Sequence, residues 1–147
     1  MINPFDDQYF MKKALQEAEL ALSKGEVPIG AVVVCNNQII AKGHNQVENL
    51  NDPTAHAEML AFTAATNFLG AKYLPDCTLY VTLEPCQMCA GAAFWTQIGH
   101  IVYGAEDEKR GYKHWHCKVH PKTKVTGGIM AEESKKLMDI FFKKLRK

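Results

Sequence analysis

Two short clusters, His56-Ala57-Glu58 and Pro85-Cys86-Gln87-Met88-Cys89, constrain this chain more than any other feature. A histidine, a carboxylate and two cysteines in this pattern are useful only if the fold brings them together. Zinc prefers imidazole and thiolate ligands, and a C-x-x-C pair can grip one metal from a turn entering a helix. The fold must therefore carry the chain away from His56 and return it to the same place near Cys86.

The elements between and around these clusters permit that return. Residues 8–23 carry Phe10, Ala14, Leu15, Ala18, Ala21 and Leu22 at helical spacing, with Gly25 and Pro28 to end the helix. Ile29 to Val34 and Gln38 to Gly43 read as two strands about an Asn36-Asn37 turn, which makes a β-hairpin. A loop over 44–51 leads to a helix from about 55 to 68, for which Asp52 and Thr54 are the candidate N-caps. Thr78 to Leu83 is a strand, and Pro85 opens a helix reaching about Gln97. Ile101 to Tyr103 and 125–130 read as two more strands, separated by an irregular stretch over 105–124. A final helix from about Glu132 to Lys144 has Leu137, Ile140, Phe141 and Leu145 as its apolar stripe. The order α-β-β-α-β-α-β-β-α predicts a mixed sheet flanked by helices, in one domain over 1–147.

Composition narrows the class. With 47% apolar and 22% charged residues, the 147-residue chain has the makeup of an ordinary globular domain rather than a disordered one. It contains no run of 18 apolar residues, and its first ten residues carry Asp6 and Asp7 in place of a basic, then apolar, leader. A cytoplasmic protein with no membrane span is expected. Under reducing conditions its five cysteines do not read as disulfides. Cys35 and Cys77 read as small buried hydrophobes, Cys117 has no evident role, and Cys86 and Cys89 stand apart by their spacing.

At the clusters, three protein ligands (His56, Cys86 and Cys89) would leave a fourth zinc position for water, the catalytic arrangement. Both clusters sit at predicted helix N-termini, where the helix dipole favours thiolate. Glu58 is expected to enter the same pocket without ligating, taking a proton from water and passing it to a departing nitrogen. Three plainer readings compete. A thioredoxin-like redox pair leaves His56 and Glu58 idle. A closed structural zinc site needs a fourth ligand, for which Cys77, Cys117 and His44 are candidates. His56 on its own could be a helix-capping histidine, but Glu58, Pro85 and both cysteines at the expected offsets weigh against that.

The pattern H-x-E with P-C-x-x-C is the signature of zinc-dependent base deaminases. The chain resembles the cytidine deaminase superfamily, and within it the bacterial tRNA-specific adenosine deaminases. G-E-V-P-I-G-A-V at 25–32, H-N at 44–45, D-P-T-A-H-A-E at 52–58 and L-Y-V-T-L-E-P-C-Q-M-C-A-G-A at 79–92 carry the likeness. I-V-Y-G-A at 101–105, G-G-I-M-A-E-E at 127–133 and F-F-K-K-L-R at 141–146 extend it. The resemblance implies an α/β fold of the cytidine deaminase-like three-layer α/β/α type around a five-stranded mixed sheet. It also implies a homodimer, one zinc per chain, and conversion of adenosine to inosine at the wobble position of a tRNA anticodon loop. It makes His56, Cys86 and Cys89 the zinc ligands and Glu58 the proton shuttle. It likens Asn45 to a nucleoside-binding asparagine and Ile29 to a pocket wall. Phe141, Phe142 and Arg146 correspond to C-terminal residues that meet the RNA anticodon stem-loop, and one of the two phenylalanines is expected in the core.

The chain departs from that pattern after strand 101–105, where E-K-R-G-Y-K-H-W-H-C-K-V-H-P-K-T-K replaces a longer connection containing Gly-Ser. Its cations suit phosphates, and Tyr112 and Trp115 suit stacking on splayed bases; a lid over a small free base is the other reading. His114, His116 and His120 invite a second metal site. Charge follows the same division: residues 1–107 hold 5 basic and 12 acidic side chains, and 108–147 hold 12 basic and 4 acidic ones. A basic final third fits a polyanion or a solvated helix face. Guanine and cytosine deaminases share the metal motifs, so a free-base or nucleoside deaminase is the rival enzyme. A non-catalytic RNA-binding scaffold with structural zinc is the rival from another class.

Overall fold

The N-terminal apolar periodicity becomes helix α1, Asp7–Ser23, whose N-cap Asp6 accepts a hydrogen bond from the Tyr9 N–H at 2.9 Å. This computed structural model describes residues 3–146, so the ends of the expected 1–147 domain lie outside the described residues. Strands β1, Gly30–Cys35, and β2, Gln38–His44, follow. Asn36 and Asn37 between them have φ of 52° and 61°, the left-handed pair that a tight hairpin turn requires. Then come α2 (Val47–Leu50), α3 (Ala57–Leu69), β3 (Cys77–Leu83), α4 (Gln87–Thr96), β4 (His100–Ala105), β5 (Lys124–Thr126) and α5 (Ala131–Leu145).

The five strands form one sheet in the order β2-β1-β3-β4-β5. β1 runs antiparallel to β2 and β3, whereas β3, β4 and β5 are parallel, so the sheet is mixed as expected. Period-two alternation sends successive residues to opposite faces. Val33, Leu79, Val81 and Ile101 meet Ala57, Ala61, Phe62 and Ala65 of α3 and Ala93 of α4 on one face. Val32, Val34, Tyr80 and Val102 meet Phe10, Met11, Ala14 and Leu15 of α1 on the other, with Leu137 of α5 packed against them. The result is the three-layer α/β/α arrangement.

Two glycines allow the helices to sit this close. A Cβ on Gly30 would lie 2.1 Å from the Ala14 carbonyl oxygen of α1, and one on Gly43 would lie 2.4 Å from the Ala57 carbonyl oxygen of α3. Because β1 is antiparallel to its neighbours, its start lies beside the ends of β2, β3 and β4. Ile29, Asn45, Pro85-Cys86 and the segment after Ala105 therefore emerge at one edge of the sheet.

Three expectations require correction. The loop over 44–51 contains the four-residue α2. α3 starts at Ala57 with His56 as its N-cap, because the Asp52 carboxylate is taken by the Thr54 N–H and hydroxyl, both at 2.8 Å, in a turn before the helix. β5 stops at Thr126 instead of reaching 130, since Gly128 (φ 87°) and Met130 (φ 58°) redirect the chain into α5. Among the described residues no helix is long and apolar enough to cross a membrane.

Candidate metal centre and nucleotide site

His56 and Cys86 occupy equivalent places, each the extended N-cap residue of a helix and each without a side-chain capping bond. Their carbonyls accept the first helical bonds, from Leu60 and Ala90, which frees both side chains to turn inward. Cys89 lies in the first turn of α4, where the helix dipole and amide groups favour negative charge. The three ligand atoms lie within 4.8 Å of one another. His56 Nδ1 is 3.6 Å from Cys86 Sγ and 3.6 Å from Cys89 Sγ. A tetrahedral zinc with Zn–S of about 2.3 Å and Zn–N of about 2.0–2.1 Å sets nitrogen and sulfur about 3.5–3.6 Å apart, so the donor set fits that metal.

The electrostatics of the cluster set the two thiols apart. Hydrogen bonding from Cys89, then from His56, lowers the Cys86 thiol to about 4. The same contact with Cys86 raises the His56 imidazole. Cys89 is pushed up by its bond to Cys86 and by burial, as the proton-bearing partner of the pair. Of the candidate fourth ligands, none joins the cluster. His44 faces Glu17 at 3.5 Å, Cys77 stands opposite Cys35 in the β1–β3 register, and Cys117 points to Gln87 at 4.0 Å. Among the described residues the group contains three candidate ligands, and a four-coordinate metal on them would keep one position for a reactant.

Glu58, 4% exposed, is in the first turn of α3. Burial raises its carboxyl to about 7, with the nearby Cys86 charge adding to the effect. Such a group can hold a proton at neutral pH and release it at small cost.

The likeness to known proteins is consistent with this chemistry. The chain matches the MafB19-like deaminase family over residues 5–146. It is 45% identical over 144 residues to a tRNA-specific adenosine deaminase of Aquifex aeolicus, covering 95% of each. With that of Bacillus subtilis it shares 43% over 147 residues, or 96% of this chain and 91% of the relative. The chain belongs to the tRNA-specific adenosine deaminase family. A solved structure from a study of A-to-I editing by tRNA:A34 deaminases superposes with a TM-score of 0.80 at 41% identity, covering 88% of this chain and 98% of that one. A guanine deaminase of Bacillus subtilis is 43% identical but covers 71% of this chain and 66% of its own, with a TM-score of 0.65.

In this deaminase, two backbone bonds gather the expected nucleoside-binding residues beside the His56–Cys86–Cys89 group. The Asn45 N–H donates to the Ile29 carbonyl at 3.1 Å, and the Gln46 N–H donates to Ala55, next to His56, at 2.9 Å. Asn45 is buried and its amide forms no hydrogen bond within the described residues; Ile29 is half-buried beside it. α2 is held in turn by Glu26. This fully buried carboxylate accepts the Glu48 and Asn49 N–H groups at 3.1 and 2.7 Å, an anchor that sequence reasoning missed.

The C-terminal residues are placed differently. α5 packs beside α1, on the sheet face opposite α3 and α4. Phe141 is half-buried, Phe142 is exposed and meets it edge-on at 5.2 Å, and Arg146 is the exposed C-cap. No hydrogen bond, ion pair or ring contact among the described residues joins Phe142 or Arg146 to the metal cluster. The three loop histidines do not assemble either: the one metal-capable group among the described residues is that of His56. Tyr112, expected to stack on bases, is buried, whereas Trp115 is exposed. Glu84, in the L-E-P-C run, was also missed. Its buried carboxylate accepts the Asp107 N–H at 3.1 Å and the Lys113 N–H at 3.2 Å, fastening the segment after β4 to the cysteine turn. Its place beside a quoted motif was the only signal for it.

Proposed function

We propose that this chain is a single zinc-dependent deaminase domain that hydrolyses adenosine to inosine at the wobble position of a tRNA anticodon loop. The observation that carries the reading is the meeting of His56, Cys86 and Cys89 at tetrahedral spacing with buried Glu58 beside them. His56, Cys86 and Cys89 would hold the metal, which when bound would supply Lewis acidity near neutral pH. Glu58 receives the proton that water gives up as it adds at C6 of the flipped adenine. It then returns a proton to the C6 amino nitrogen, which departs as ammonia. Asn45 offers its unpaired amide to the nucleoside, and Ile29 supplies an apolar wall to the base. Phe142 and Arg146 meet the RNA outside the pocket, where the basic final third of the chain suits phosphates.

A structural zinc site needs no buried proton carrier, so Glu58 argues against a silent RNA-binding scaffold. The guanine deaminase likeness is the one observation that favours a free-base substrate. We further propose a cytoplasmic homodimer, to which the exposed Phe68, Phe94 and Trp95 on α3 and α4 lend support as an apolar surface.

The test uses zinc-loaded protein with an adenosine-bearing anticodon stem-loop and, separately, with free guanine and adenosine. Inosine and ammonia in equal amounts from the stem-loop are the expected result. Rapid turnover of guanine with no inosine in the RNA would overturn the reading.

A further inference from the structure

The segment after β4 is folded as a turn standing on the cysteine motif. Gly111 forms a β-bridge with Cys86, and the Tyr112 N–H donates to the Pro85 carbonyl at 2.8 Å. The Cys117 N–H returns to the Tyr112 carbonyl at 3.0 Å, and its thiol reaches Gln87 Oε1 at 4.0 Å. His114 and His116 donate to Gly111 and Lys113, both at 3.1 Å. Buried Tyr112 packs beneath, while Glu84 grips the Lys113 N–H from the strand end.

Trp115 sits within this turn and is 54% exposed, with the His114 ring edge-on to it at 5.8 Å. It belongs to neither core cluster. An indole held out to solvent by a turn tied at both ends is preorganised, and little entropy is lost when a flat partner covers it. The surroundings define that partner. Lys109, Arg110 and Lys118 are exposed on the same segment, while Lys113 is engaged with Glu106 and Tyr103. An exposed indole among unpaired cations is the composition that binds single-stranded nucleotides, with phosphates on the cations and a base on the ring.

We propose that Trp115 is the stacking platform for a nucleobase directly flanking the target adenosine. The inference rests on the RNA-editing reading above and deepens it. The turn's feet are the residues around Cys86, so a loop that places one base over the metal cluster brings its neighbour towards the indole. The platform selects for an unstacked, single-stranded loop without reading base identity, since every base has a π-face.

The experiment compares wild type, Trp115→Ala and Trp115→Phe on an anticodon stem-loop and on loops carrying an abasic nucleotide 5′ or 3′ of the adenosine. Loss of one stacked base corresponds to about 5- to 150-fold in binding. Trp115→Ala should raise KM for the intact loop by a factor in that range and leave kcat within about twofold. Trp115→Phe should restore most of the loss. One of the two abasic loops should bind wild type and Trp115→Ala equally well. The chain has two tryptophans, so in a Trp95→Phe background the remaining emission reports Trp115 alone. That emission should be quenched by the intact loop and not by that abasic loop, whether or not inosine forms. Two results would overturn the platform: an unchanged KM with unquenched emission, or dissociation of a dimer on Trp115→Ala. If wild type edits the loop while Trp115→Ala matches it, only the platform fails. If wild type forms no inosine, the editing reading fails, and the quenching still decides the platform.

Discussion

Replacing Glu26 with glutamine tests whether a group remote from the chemistry builds the nucleoside site. The substitution preserves shape and volume, so no cavity opens. Glu26 is fully buried and accepts two backbone N–H bonds, 3.1 Å from Glu48 and 2.7 Å from Asn49. An amide oxygen keeps one of these, but the NH₂ then faces the other N–H, donor against donor. A hydrogen bond to a charged acceptor contributes about 1.5–3 kcal/mol, and the opposed donor adds desolvation cost, which puts Glu26→Gln at about 2–3 kcal/mol of lost stability. For a chain of about 150 residues that corresponds to a fall in Tm of about 4–12 °C. α2 follows Asn45 directly, so loosening it should also raise KM for the stem-loop by more than it lowers kcat. Thermal unfolding of the zinc-loaded protein and steady-state kinetics measure the two effects. A Tm within 1 °C of wild type would refute the energetic argument. An unchanged KM in a destabilised protein would refute the link between α2 and Asn45.

Cys86→Ala and Cys89→Ala should each purify with far less than one zinc per chain, because two remaining ligands compete poorly with chelators; stoichiometric zinc by elemental analysis in either variant would remove that cysteine from the metal. Glu58→Ala should retain zinc and fold yet lose about 10²–10⁴-fold in kcat, and a rate above a tenth of wild type would dismiss it as proton carrier. Gly30→Ala should destabilise by about 1–3 kcal/mol or more in urea unfolding, since the new Cβ lands 2.1 Å from the Ala14 oxygen and 2.4 Å from the Ala18 nitrogen, both backbone atoms. Replacing Lys143 and Arg146 by alanine should flatten the log–log salt dependence of stem-loop binding by about 1.4–1.8 with zinc unchanged, and an identical slope would exclude both as phosphate contacts.

What was legible in the sequence follows the range of the forces involved. The meeting of His56, Cys86 and Cys89 could be read because metal chemistry dictates residue types, and imidazole and thiolate have few substitutes as zinc donors. The helices and the hairpin could be read because periodicity is local. α2 could not, since Val47–Leu50 is too short to nucleate alone and takes its N-terminal acceptor from Glu26, distant in sequence. The start of α3 was misplaced because Asp52, a good capping residue in isolation, is consumed by Thr54. Tyr112 and Trp115 look alike as loop aromatics. Contacts distant in sequence separate them: the Tyr112 N–H is tied to Pro85 at the cysteine turn and its ring is buried, whereas Trp115 is exposed.

The same distinction bears on which of three buried glutamates at this end of the sheet is suited to move a proton. Glu26, Glu58 and Glu84 are each no more than 4% exposed. Burial alone does not tell them apart. Hydrogen bonding separates them. Glu26 has each oxygen fixed by a backbone N–H of α2, and Glu84 has each fixed by a backbone N–H of the segment after β4. Protonating either would set a donor against donors and release the segment it holds. Glu58 is tied to neither segment; it lies against Cys89 and Cys86, and its carboxyl has moved up to about 7. A carboxylate with both oxygens committed to backbone is an anchor, and one left facing a metal cluster is free to accept and return a proton. On the proposed reading two anchors hold the walls of the site, Glu26 holding α2 beside Asn45 and Glu84 holding the turn that carries Trp115, and the third glutamate works between them.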